Sequence, residues 1–454
     1  MWLAGCAPDP PAPTADWSTW GATGISVPCE GPCTLTCSGG GEQWEETGSD
    51  FEWTGLLPGF AYACTLDGPG GVAAFPVQLD PPPSTLAAPV ITGTTSDLTL
   101  FNQVRDGDFP RAILVDGAGR VRWWMDLPDD PNVGIEVAFL PDSPFGRVVL
   151  AGGGDTVPPT MFTLDGAVAW SAPLLGVAGG IWHHDAAWLP DVGLVVGLSE
   201  QDNHRPDGEG TWTGFAVETH DPTLDQRTWS WTSQQGVDNG GLPAAANGAD
   251  AYHANSVQWV PDDPEGEAWW LSLKRLNQVV RLDPAGAVTW ALGVGGDFAL
   301  LRADGTPADA SEWFYGQHAP EAQPTADPNI WSVYVHDNGM DRPNGALFSR
   351  AMRLDVDRAA STATIGWEWT EEGWYEPVFG DVDLLASGDV LVTMGHCPQC
   401  PGAPPERGSA IVEVDVPTGD VLWRADFTPE ESMYRAQRID PCAWYPQNRT
   451  ACPG

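Results

Sequence analysis

Cations are what this sequence has least of. Lysine occurs once, as Lys274, and the 20 lysines and arginines face 62 acidic residues, giving a formal net charge of −42. A nucleic-acid surface needs basic patches that displace counterions, and a field this negative repels phosphate at long range. Nucleic acid and anionic membrane surfaces are therefore excluded as partners. Apolar runs are short as well: no stretch of about 18 apolar residues exists that would make a membrane-crossing helix. No long apolar stripe with a 3.6-residue period is present, which excludes a helix bundle. Histidine is scarce, with eight in 454 residues. What the chain does have is 42% hydrophobic residues and 24 tryptophans, too much apolar surface for disorder. Its 53 glycines and 43 prolines break it every few residues, and the reading that remains is all-β.

Near the N-terminus, Leu3-Ala4-Gly5-Cys6 matches the bacterial lipobox, whose cysteine is acylated after signal cleavage. Ala7 to Ala15 then reads as a Pro/Ala tether, so residues 1–15 are expected to be a lipobox remnant and linker. Fewer residues precede Cys6 than the apolar core of about 7 to 15 that a signal peptide needs, so a start codon further upstream is expected. The expected location is that of an exported lipoprotein, periplasmic, anchored to the outer membrane or on the cell surface, meeting the membrane only through a lipid at Cys6. Without Cys6 the nine cysteines leave eight, an even number that suits disulfides outside the cytosol. Cys397–Cys400 and Cys442–Cys452 are the expected pairs. The pairing among Cys29, Cys33, Cys37 and Cys64 stays open. Cys397-Pro398-Gln399-Cys400 also has thioredoxin-like spacing, but no βαβ pattern surrounds it.

Short strand-like runs in residues 16–86 predict a small disulfide-stapled β-sandwich of immunoglobulin or fibronectin type, followed by the stiff linker Asp80-Pro81-Pro82-Pro83-Ser84. A repeat fills residues 87–454. Ile113–Trp124, Met161–Trp170, Phe215–Trp231, Val279–Trp290, Ala351–Trp369 and Ile411–Trp423 each hold a strand that reaches an Asp, a turn, and a second strand ending in Trp. These are six β-hairpins whose turns are capped by an acid. Propeller blades need at least about 40 to 50 residues each, so six hairpins predict a six-bladed β-propeller. Between the hairpins lies a second repeat, a polar start followed by two strands, beginning at Glu136, His184, His253 and Asp381. In a propeller the innermost strands run parallel around one channel, so these polar starts converge.

His184, His253, His318 and His396 all fall at or beside the ends of the expected inner strands. Together with Arg275 and Arg350 they would make a small electropositive pocket in a very acidic protein, suited to an anionic group. A guanidinium matches oxyanions through its planar fork, and an imidazole serves as nucleophile, base or acid. His183, His204 and His220 read as structural, and His336 as a turn residue before Asn338-Gly339. Trp182, Trp313 and Trp374 are placed at the funnel lip, where they could stack on an aromatic substrate.

The order of local motifs in the C-terminal half resembles the bacterial PAPS-independent arylsulfate sulfotransferases. The residues are His183-His184-Asp185 with Leu189-Pro190, Tyr252 to Ser256, Ser272 to Arg275, Gln317-His318, His336 to Gly339, Ser349-Arg350 with Leu354-Asp355, Ile411 to Asp415, and Tyr434-Arg435-Ala436. The resemblance implies a propeller whose funnel binds an aryl sulfate and passes its sulfuryl group to a phenol through a sulfohistidine, with no cofactor and no metal. By the same resemblance His396, after Val392 to Gly395, is the nucleophile, although its surroundings depart from the family's pattern through Cys397 to Cys400. His253 and His318 stabilise the sulfuryl oxygens or move the phenol proton, Arg350 holds the sulfate, and Arg275, Asn255, His184 and Tyr434 line the substrate. Two rivals stand beside this reading. One is a metal-dependent propeller hydrolase or lactonase in which histidine with Asp381, Asp383 and Asn255 holds a cation, for which no HxH or HExxH spacing speaks. The other is a non-catalytic or quinoprotein-like lipoprotein scaffold.

Overall fold

The computed structural model describes residues 18–20, 23–86, 88–105, 110–128, 136–152, 158–173, 181–205, 208, 210–246, 248–396 and 408–445. Cys6, Cys397, Cys400 and Cys452, and with them the tether and three of the four expected disulfide partners, lie outside these residues. The chain is all-β, and it divides into two compact units.

The first unit holds the chain up to Leu86, Arg120–Trp123 and the stretch from Ile439. It contains a three-stranded sheet (Ser18–Trp20, Gly24–Val27, Phe51–Trp53) and a four-stranded one in the order Glu42–Gly48, Cys33–Gly39, Ala61–Gly68, Gly71–Gln78. Alternate residues are buried along these strands, Leu35 and Cys37 in one, Phe51 and Trp53 in another, so each sheet turns an apolar face inward. Cys37 and Cys64 are directly opposite in neighbouring strands and are disulfide-bonded, and Cys29 pairs with Cys33. Cys442 is disulfide-bonded as well.

Among the described residues the second unit contains six sheets, one of them in part, met in chain order. Four consecutive strands build each of sheets two to four, over Glu136–Ser171, Ile181–Thr232 and Ala254–Gly293. Sheet five uses His318–Pro324, Ile330–Asp337, Arg350–Asp357 and Thr362–Trp369, with Ala299–Leu301 added parallel at its outer edge. Sheets one and six are assembled from distant parts of the chain. Sheet one joins Leu98–Arg105, Arg111–Val115 and Val121–Asp126 to Glu431–Ser432 and Ala436–Ile439, and sheet six adds Val90–Gly93 to four strands between Asp381 and Asp426. All six Asp-to-Trp hairpins appear as hydrogen-bonded neighbours. Sequence reading overlooked one inner pair, His318–Pro324 with Ile330–Asp337, and the C-terminal strands of sheet one.

The hairpin residues show why the repeat exists. Asp116, Asp165 and Asp283 each accept a backbone N–H from within their own turn, at 3.0, 3.3 and 2.8 Å. Two of the tryptophans reach into the neighbouring sheet: the Trp231 indole donates to Gly286 O at 3.0 Å, and that of Trp423 to Gly117 O at 2.9 Å. The apolar core lies between successive sheets, with Trp270, Val279, Val333 and Leu354 in one such layer and Leu198, Trp231, Leu271 and Val280 in another. Along the chain the first strand of each sheet lies against the first strand of the next, from Ile181–Leu189 to Ala254–Val260, His318–Pro324 and Asp381–Leu384.

Candidate functional site

Three of these first strands carry the same irregularity at their upstream ends. The pairing register slips between Trp182 and Ala186, between Ala254 and Ser256, and between His318 and Glu321. Beside each slip a residue with a β-carbon adopts the left-handed backbone: His184 at φ 63°, His253 at 48° and Ala319 at 43°. Such a conformation costs roughly 1–2 kcal/mol per residue, and bulges re-aim side chains beside functional sites. Here they bring imidazoles together. The rings of His184 and His253 are 4.7 Å apart, and those of His184 and His318 each lie 6.2 Å from the buried ring of Tyr434. Phe379 bridges Tyr434, at 5.7 Å, to His396, at 6.2 Å.

Hydrogen bonds fix how the imidazoles can act. Asn338 donates through Nδ2 to the carbonyls of Glu376 and Phe379, so its Oδ1 is the atom 2.7 Å from His318 Nδ1. His318 therefore carries its proton on Nδ1, and its buried Nε2, which has no partner among the described residues, keeps a bare lone pair. His253 Nδ1 lies 2.6 Å from Asp250 Oδ2, the arrangement by which a carboxylate orients an imidazole. His183 and His184 share a 2.7 Å contact between their Nδ1 atoms. Burial, followed by the neighbouring His183, holds His184 well below the ordinary value of 6.5. Burial, followed by Lys274, does the same for His318. Burial brings His183 down to about 3. These three rings are neutral at pH 7.

His396 leaves the strand Val390–Met394 after Gly395, half-buried. Its backbone N–H and that of Gly395 both donate to the buried carboxyl of Glu376, at 2.8 and 2.6 Å, and Phe379 N adds a third bond at 3.1 Å. Burial pushes Glu376 up to about 8, against the lowering effect of those three donors.

The expected substrate contacts sort differently. Tyr434 is buried and donates its hydroxyl to Asn255 O at 3.2 Å, and the Asn255 amide donates to Gln317 O at 2.8 Å while its Oδ1 has no partner among the described residues. Arg275 is half exposed, with Nε 3.9 Å from Asp250 Oδ2. Arg350 is buried, and each of its nitrogens is engaged: Nε with Asp337 at 2.9 Å, one terminal nitrogen with Glu368 at 2.7 Å, the other with the carbonyls of Glu312 and Trp313. Trp182, Trp313 and Trp374 are core residues, each at most 7% exposed, and do not line an open lip. His336 is not a turn residue: it is buried in the strand Ile330–Asp337 with its ring over Gly380, where a β-carbon would stand 2.2 Å away.

Arg435 ties sheets two, three and four together. One terminal nitrogen meets Glu136 at 2.8 Å and Asp185 at 3.1 Å, and the other meets Asn255 O at 3.1 Å. Asp381, Asp383 and Glu321 complete this carboxylate group, all raised by burial, Asp381 to about 7. No group of three His, Cys, Asp or Glu side chains among the described residues is arranged to hold a metal ion. Sequence reading missed Asp250, Glu376 and Asn338 as parts of the site. Asp250 had a signal in its spacing three residues before His253, and Glu376 had none.

Comparison with known families decides the relationship. The arylsulfotransferase model matches residues 176–435, more than half of the chain and nearly all of the residues just described. The chain belongs to the arylsulfotransferase family. A comparison with curated proteins finds none that matches. Among solved structures, a Bacteroides caccae protein of unknown function is 11% identical, with a TM-score of 0.47 over 76% of this chain and 99% of that one. The Pseudomonas aeruginosa periplasmic gluconolactonase is 13% identical, with a TM-score of 0.39 over 90% of this chain and 99% of that one. Likenesses of this size assign no activity to this arylsulfotransferase-family chain.

Proposed function

We propose that the protein moves a sulfuryl group from an aryl sulfate to a phenol through a sulfohistidine. The observation that carries this reading is the gathering of His184, His253 and His318 around Tyr434, next to the Glu376-held His396, inside the family-matched segment. On this reading the six sheets are blades of a propeller, the histidines sit in its central funnel, and the two N-terminal sheets form an immunoglobulin-like sandwich. The chain acts outside the cytosol, tethered through Cys6.

A nitrogen of His396 attacks sulfur, the S–N bond forms as the S–O bond to the aryl group breaks, and the phenolate leaves. An acceptor phenol then attacks the sulfohistidine, giving its proton to the lone pair on His318 Nε2 or to the His253–Asp250 pair, and S–N breaks as the new S–O forms. Sulfuryl transfer between phenols is nearly isoenergetic, so positioning and charge stabilisation are what the protein must supply. Mixing the protein with a chromogenic aryl sulfate, with and without added phenol, tests the activity. Peptide mass spectrometry at alkaline pH with donor alone should find one SO3 on the peptide carrying His396. An adduct on the peptide of His253 or His318 relocates the nucleophile, and kinetics that require both substrates bound together, with no adduct, overturn the covalent route.

A further inference from the structure

An aryl sulfate is an anion, and a protein of net charge −42 has to meet it with a local cation. Three of the site's imidazoles do not supply one, since burial keeps His183, His184 and His318 neutral. Arg350 is spent on Asp337, Glu368 and two carbonyls, and Arg435 on Glu136, Asp185 and Asn255 O. Arg275 stands half exposed toward Asp250.

The other cation beside the histidines is the chain's single lysine. Lys274 opens the one-turn helix Lys274–Leu276, which is tied to the histidine strand by Lys274 N to His253 O at 3.3 Å and Arg275 N to Tyr252 O at 3.0 Å. It is 8% exposed, and no hydrogen bond or ion pair from the described residues reaches its ammonium. Its charge acts on His184 and His318, and Glu376 and Asp250 act on it in return. The residue is mostly buried but its ammonium keeps contact with solvent, so its three donors can take an anionic partner that arrives from outside the chain.

We propose that Lys274 is the cation that holds the sulfuryl oxygens of the donor, the role that the family resemblance gives to Arg350. The inference rests on the sulfuryl-transfer reading. It also agrees with the state of the amine, which burial, with Arg275 adding to it, brings down to about 8 while Glu376 and Asp250 oppose. An anion bound against it favours the charged form.

A sole lysine makes the test direct. Reductive dimethylation with 13C-formaldehyde leaves the charge in place and gives the intact protein one ε-dimethylamino resonance. Its titration should move to higher pH, by about one unit, on adding inorganic sulfate or phenyl sulfate, and should not move with phenol. Lys274→Met should lower kcat/KM for an aryl sulfate about 100-fold, mainly through KM, with Lys274→Arg recovering part of it. A resonance that ignores sulfate and phenyl sulfate overturns the proposal whether or not the Met variant folds. So does an unchanged kcat/KM in Lys274→Met of a protein that transfers sulfuryl groups. Should the wild type transfer none while sulfate still shifts the resonance, the sulfuryl reading falls and the anion site at Lys274 stands.

Discussion

Glu376 Oε1 accepts the backbone N–H of His396, and Glu376 Oε2 that of Gly395. One buried carboxyl thus fixes the chain on both sides of the peptide that leads into the proposed nucleophile. Its Cα belongs to the segment after sheet five, whereas His396 follows the second strand of sheet six, so the clamp crosses from one sheet to the next.

Replacing Glu376 with Gln leaves one acceptor oxygen and points an NH2 at a backbone N–H. Turnover should fall about 10- to 100-fold with little change in KM, as expected when a reacting group loses its placement. The melting temperature gives a second readout. Burial raises the folded-state value from 4.5 to about 8, so between those values the native state holds a proton that the unfolded chain releases, and stability falls as pH rises. Glu376→Gln should flatten that slope, and a slope equal to wild type would show that Glu376 does not titrate in this window.

Asp250→Asn tests the orientation of His253. The carboxylate 2.6 Å from Nδ1 sets which ring nitrogen faces the substrate, and its loss should lower kcat/KM about 10- to 100-fold. Asp250 is about a third exposed, so the melting temperature should hardly move. A large drop in melting temperature with intact kinetics would make Asp250 a structural residue only.

The carboxylates around Arg435 should make the protein less stable as pH rises from about 4 to 7. Asp381 is raised from 3.8 to about 7 by burial, with Arg435 opposing, and Asp383 and Glu321 are raised in the same way. A raised acid contributes stability below its unfolded value that is lost as pH climbs through its folded value. Asp381→Asn should therefore melt higher than wild type at pH 8 and close to it at pH 4. The opposite order would mean that Asp381 is ionised and needed by Arg435.

Arg350 and Arg342 both hold the buried carboxylate of Asp337, each at 2.9 Å. Arg350→Met should cost about 3–5 kcal/mol of stability, the usual cost of breaking a buried pair from one side. KM for an aryl sulfate, measured well below the melting temperature, should stay within about twofold. A raised KM with an unchanged melting temperature would return the sulfate to Arg350.

The repeat was legible because it is local: an Asp that caps its own turn and a Trp that ends the next strand recur within a dozen or so residues. The same locality made His184, His253 and His318 visible as strand-start residues. What stayed hidden is non-local. Nothing near Arg350 in the chain announces that Glu368 and Asp337 will consume it, and Glu376 gains its meaning only when sheet six brings Gly395 to it. The overlooked strand Ala436–Ile439 is only four residues long, and the partner that makes it a strand is Leu98–Arg105. Lys274 was conspicuous by its rarity, yet that its ammonium forms no ion pair with the described residues is a property of the folded chain alone.

Sheet one also sets an order of events for a chain that is made from one end. Asn102 accepts the N–H of Arg435, a residue 333 positions later. Sheets two to five can each form from their own consecutive strands soon after these are synthesised, whereas Leu98–Arg105 keeps an open edge until Ala436–Ile439 arrives. Pairings this distant form slowly, because the closure entropy has to be met before any contact rewards it. For most of its synthesis the polypeptide therefore carries unsatisfied strand edges, the kind of surface that recruits other chains. The same late event delivers Tyr434 and Arg435, so the histidines lack the ring they gather around until residue 434 has been made.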